Sequence, residues 1–99
     1  ICSYKPHPGR EEEARLLMQG HVPLLKSYDL IADRAVVQGV AADGTLVEIF
    51  EWQSVEKSRG APGIAEIGAH WKAMSEVMDF VPLSGVPEAQ HAFAHFEPL

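Results

Sequence analysis

Two carboxylates, Glu48 and Glu51, stand inside the run LVEIFEWQS, Leu46 to Ser54, among Val47, Ile49, Phe50 and Trp52. Burial strips a carboxylate of water and disfavours its charge, so a carboxyl group among apolar side chains is suited to taking a proton from an activated carbon or a phenol. Glu48 is the candidate base, with Val37, Gly39, Phe50 and Trp52 as candidate pocket walls around it. The other reading of Glu48 is an ion pair with Arg34, Lys5 or a second chain. Glu51 lies near the end of the run, where a solvated or helix-capping role is expected. Trp52 either bounds an aromatic ligand with its flat face or fills an interface.

The five histidines raise the question of a metal. His91 and His95 lie in an alternating, strand-like segment, which would hold them roughly 13 Å apart at about 3.3 Å per residue. Two ligands each about 2 Å from one ion cannot stand so far apart. No HExxH spacing occurs, so no metal is expected, and His21 and His70 fall on helices, where surface or partly buried roles are expected. No glycine-rich phosphate loop or serine elbow is present; GAPG, Gly60 to Gly63, reads as a helix breaker. Cys2 is the single cysteine, which excludes an internal disulfide and fits a reducing compartment, here expected to be the cytoplasm.

These residues need a frame. Two runs flank Asp43-Gly44, a pair suited to a two-residue hairpin turn in which both central residues take positive φ. That turn sets Ala41, Gly39, Val37 and Ala35 opposite Leu46, Glu48, Phe50 and Trp52. Val40, Gln38 and Val36 then oppose Val47, Ile49 and Glu51 on the other face. Ile1–Lys5 reads as a first strand closed by PHPG. The following segment is a helix with Glu11, Glu12 and Glu13 in its first turn and Leu17, Leu24 and Tyr28 at helical spacing, with Met18, Val22 and Leu25 beside them. Gly20 and Pro23 are expected to kink or divide it. Ser54 is a plausible N-cap for a short turn. A second long helix carries the stripe Ile64, Ile67, Trp71, Met74 and Met78. DFVPLSGVPEA reads as a connection, and HAFAHFEPL as an edge or last strand.

The order β-α-β-β-α-β predicts one α+β domain over residues 1–99, a ferredoxin-like two-layer sandwich. A sheet with helices on one side leaves its second face bare. Both hairpin faces carry large apolar residues, so a homodimer that covers the second face is expected. A net charge of −6 repels phosphate backbones and anionic lipid, so neither nucleic acid nor membrane is an expected partner. The chain opens at Ile1 within a strand, and an upstream segment is expected.

The passage DGTLVEIFEWQSVEKSRGAPGIAEIGAHWKAMSEVMDFVPL resembles small proteins of the dimeric α+β barrel superfamily, in particular the antibiotic-biosynthesis-monooxygenase-like group. The resemblance covers most of the chain, through element order, the aromatic end of the third strand and the broken second helix. It implies a homodimer whose two four-stranded sheets close a barrel with the helices outside. Proteins of that superfamily include cofactor-free oxygenases, haem-degrading enzymes, lactone isomerases and proteins of no known activity. Its haem degraders share an Asn, Trp and His constellation, whereas this chain has no Asn. His70 and Trp71, adjacent on a helix, point about 100° apart. No cofactor is therefore expected. The readings carried forward are a homodimer, non-catalytic or of unassigned activity, with a small apolar or aromatic ligand between its sheets, and a cofactor-independent monooxygenase or isomerase acting on a small aromatic or polyketide-like substrate.

Overall fold

The computed structural model describes residues 1–99. Its elements run β1 (Cys2–Pro6), α1 (Glu11–Ser27), β2 (Val37–Val40), β3 (Leu46–Ile49), α2 (Val55–Gly60), α3 (Ala65–Val77), β4 (Met78–Val81) and β5 (Glu97–Pro98), with 3-10 turns at Ala61–Gly63, Leu83–Gly85 and Pro87–Gln90. The five strands form one antiparallel sheet in the order β4-β1-β3-β2-β5. Helices α1 and α3 lie on one face of it. The architecture is α+β. No helix is long and apolar enough to cross a membrane.

The fourth strand is Met78–Val81, not HAFAHFEPL. Met78 therefore leaves the helical stripe and enters the sheet, opposite Pro6 of β1. Residues 91–96 have no regular structure, and β5 keeps only two residues on β2. Helix α1 is also undivided, with Pro23 inside it. Proline costs a helix one backbone bond, and the burial of Val22 and Leu25 on either side of it holds the last turn in place. The buried stripe of α1 is Ala14, Met18, His21, Val22 and Leu25. Met18, Val22 and Leu25 are buried as the spacing implies, whereas the Leu17-Leu24-Tyr28 line lies at the margin of the stripe, and Tyr28 is exposed.

α1 ends in a Schellman arrangement. The amide of Leu30 donates to the Leu25 carbonyl at 3.2 Å and that of Asp29 to Lys26 at 3.0 Å, with Asp29 left-handed at φ 54°. The Asp29 carboxylate accepts from Gln53 at 2.7 Å and from Lys57 at 3.3 Å, tying this corner to the start of α2. Ser54 caps α2 as expected, its Oγ accepting from the Lys57 amide at 3.1 Å.

The hairpin register differs from expectation by one residue, and that difference decides the site. Asp43 does not take positive φ; only Gly44 does, at 89°. The Gly44 amide donates to Ala41 at 2.9 Å and the Ala41 amide to Thr45 at 2.8 Å, which is a three-residue loop ending in a left-handed glycine. Thr45 N–H donates to the Asp43 carboxylate at 3.0 Å, holding Asp43 in its ordinary conformation. Gln38 thus opposes Glu48, while Gly39 opposes Val47 and Val37 opposes Ile49. Leu46, Glu48, Gln38 and Val40 share the helix-covered face with Tyr4, and Val37, Gly39, Val47 and Ile49 share the other.

Candidate functional site

Glu48 lies on the face beneath α1 and is fully buried, at 0% exposure. It pairs with neither Arg34, which bonds Glu51 at the surface, nor Lys5, which faces Asp43. Its partner is His21, the one polar member of the buried α1 stripe, itself 2% exposed. His21 Nδ1 and Glu48 Oε1 are 2.8 Å apart. Gln38, brought opposite by the shifted register, donates its Nε2–H to Glu48 Oε2 at 2.8 Å. Tyr4 reaches Oε1 in a long 3.5 Å contact. Burial pushes the Tyr4 phenol well above its ordinary value of 10.0, and the neighbouring Cys2 and Glu48 push it further, so it stays a neutral donor.

The remaining nitrogen of His21 fixes the proton positions. The Trp71 indole Nε1–H donates to His21 Nε2 at 2.8 Å. An indole nitrogen only donates, so Nε2 holds the lone pair, Nδ1 carries the hydrogen, and Glu48 accepts it. Every hydrogen bond in the chain Trp71→His21→Glu48←Gln38 points toward the carboxylate. His70 stacks on His21 with centroids 5.8 Å apart and planes 8° apart, and donates from its own Nε2 to the Leu17 carbonyl at 2.9 Å. Helices α1 and α3 are thus joined through two imidazoles and an indole.

His21 also forms part of the wall of a cavity of about 390 Å³ between the helix layer and β1, with Phe50, Trp52, Trp71, Met74 and Phe80 prominent around it. Ten of its thirteen lining residues are hydrophobic, and none is Lys, Arg, Asp or Glu. Such a cavity suits a neutral apolar molecule and offers no counter-charge to a phosphate or carboxylate. Phe50 and Trp52 meet edge to face at 5.3 Å, a shape for receiving a flat ring.

Among the expected site residues, Phe50 and Trp52 do line this cavity. Val37 and Gly39 do not; the register shift carries them to the opposite face, where Gly39 lies under Phe96. Glu48 stands behind His21 rather than in the cavity wall, so the member of the pair that borders the cavity is His21, with its Nε2 taken up by the Trp71 indole. His21 was assigned a surface or partly buried role by sequence, yet its place three residues after Met18 and four before Leu25 puts it on the buried stripe. His91 and His95 are exposed, and no cluster of three or more His, Cys, Asp or Glu is placed to hold a metal. No protein-family model, no curated protein and no solved structure matches the chain.

Proposed function

We propose that the protein is a cofactor-independent enzyme that takes a proton from a small, neutral, apolar molecule with an aromatic or similarly flat body. The ligand sits between the helices and the sheet, not between two sheets. His21 Nε2 is the proton acceptor. Glu48, bonded to Nδ1–H, orients the ring and balances the positive charge that proton uptake creates. The observation that carries this reading is a single imidazole with a buried carboxylate on one nitrogen and an apolar cavity beside it. The carbanion or phenolate so formed would then rearrange or react with oxygen, as in an isomerase or a monooxygenase.

The strand order β4-β1-β3-β2 with both long helices on one face supports a ferredoxin-like core. Val37, Ile49, Phe93 and Phe96 remain exposed on or over the second face. They support a homodimer of the α+β barrel kind, with this face turned to the partner. A non-catalytic ligand binder is favoured by one observation, that Trp71 already occupies the His21 lone pair.

Thermal melting with p-cresol as probe tests the cavity. A ligand at 100 times its dissociation constant adds about 2.7 kcal/mol. Stabilisation is expected in the wild type, reduced in Phe80→Asp at the cavity mouth and retained in Val37→Asp on the other face. No stabilisation, or the reverse pattern between the variants, defeats the reading.

A further inference from the structure

We infer that Trp71 is a latch on His21: its indole N–H holds the ring in the Nδ1–H form and covers the Nε2 lone pair until a ligand displaces it. The inference rests on reading the cavity as a ligand site and adds how that site is turned on. A neutral imidazole has one lone pair, and here it is already used. While the indole stays in place, His21 cannot accept a second proton without setting two N–H groups against each other at hydrogen-bond distance. Proton abstraction therefore requires the 2.8 Å Trp71–His21 bond to open first.

The surroundings permit this movement. Trp71 is only half-buried, in contrast to His21 and Glu48, and its ring borders the cavity, so it has space to move into. His21 does not: Glu48 fixes it on one side, and the parallel His70 ring stacks on it, itself tied to the Leu17 carbonyl. The ring that yields is the indole. Trp71 is accordingly a positioning residue, acting on the reaction through His21. The same bond protects the empty site, since an uncovered basic nitrogen beside an apolar cavity would otherwise be left without a partner.

The variant Trp71→Phe keeps an aromatic ring and deletes the donor. The probe reaction is the ring opening of 5-nitrobenzisoxazole, a neutral flat molecule that needs only a base. His21 Nε2 takes the ring C–H proton, the electron pair forms the nitrile, the N–O bond breaks to a phenolate, and His21 returns the proton to water. We expect Trp71→Phe to open the probe at least tenfold faster than the wild type, and Trp71→Phe/His21→Gln to lose that gain. A rate in Trp71→Phe no higher than in the wild type, including no turnover in either, overturns the latch.

The wild type supplies a second reading that does not depend on a variant folding. Side-chain nitrogen NMR should show His21 with hydrogen on Nδ1 alone, and p-cresol should speed exchange of the Trp71 indole proton at least tenfold. Hydrogen on Nε2, or an indole proton indifferent to p-cresol, overturns the latch. Stabilisation by p-cresol with no rate gain in Trp71→Phe defeats the latch and leaves the cavity reading standing; absence of stabilisation defeats the cavity reading.

Discussion

His21 Nδ1–H and one N–H of the Gln38 amide, whose other N–H donates to the Met18 carbonyl at 3.2 Å, converge on one buried carboxylate, so the energetic weight of the site rests on Glu48. Glu48→Ala leaves the buried His21 Nδ1–H and one N–H of half-buried Gln38 without an acceptor and should cost about 2–3 kcal/mol in urea unfolding. Glu48→Gln keeps one acceptor but turns an amide N–H against either His21 or Gln38, and should cost about 1–3 kcal/mol. Equal stability of the wild type and Glu48→Ala would show that the network is not formed. Both tyrosines titrate above their ordinary value of 10.0: Tyr4 chiefly through burial, Tyr28 chiefly through its hydrogen bond to Glu66. A raised folded value means that their contribution to stability is complete below the unfolded value and is lost as pH rises through the folded one. Tyrosinate absorbance should therefore appear at higher pH in the native protein than in urea, and stability should begin to fall above about pH 10. Coincident native and urea titrations would contradict this. The sequence does mark Glu48 as a polar residue on a buried row. Its partner was harder to see: His21 lies between the line through Leu17, Leu24 and Tyr28 and the line through Met18 and Leu25, near enough to either to share an apolar face, but a lone polar residue there reads as the margin of the stripe rather than as its buried centre.

The hairpin shows how a local detail at the scale of one element decides which residues meet. Asp43-Gly44 suits either a two-residue or a three-residue loop, and the two differ in whether Asp43 must adopt positive φ. Period-two alternation fixes which residues of β3 share a face, and that row of Leu46, Glu48, Phe50 and Trp52 is as the alternation implies. It does not fix the partner row, so Gln38 was exchanged for Gly39. Gly44→Ala forces a Cβ into φ 89° and should cost about 1 kcal/mol or more in thermal unfolding. Gly39→Ala places a methyl 3.0 Å from both Phe96 Cβ and the Glu97 carbonyl oxygen. That change should loosen the last residues and speed hydrogen exchange of the Leu99 amide, which donates to Gln38 at 3.2 Å. Unchanged protection of that amide would show that β5 is not held there. The missed fourth strand has a similar cause: four residues running straight on from a helix, with Pro82 next, carry too little pattern to separate strand from connection.

On the scale of the whole molecule, the two faces of the sheet have different occupants. Helices α1 and α3 seal one and leave the aromatic cavity at its margin. The other is partly covered by the chain's own last segment, where Val86 joins Ala41 and Val47 in a small buried cluster. Around it Phe93 stays 86% exposed, and Val37 and Ile49 are open on the sheet. If a second copy covers that surface, sedimentation should report a dimer for the wild type and a monomer for Val37→Lys/Ile49→Lys, since two buried cations facing their symmetry mates cannot pair. A monomeric wild type would remove the dimer while leaving the cavity whole, because every residue named in it comes from one chain.

The most direct test of the central claim is an NMR titration of the wild type with p-cresol, followed at the Met74 methyl, the Phe50 ring and the side-chain nitrogens of His21. The expected result is saturable shifts at all three with one dissociation constant, and little change at Val37 and Ile49. Shifts confined to Val37, Ile49 and Phe96, with His21 silent, would place the ligand on the opposite face and contradict the assignment of the site.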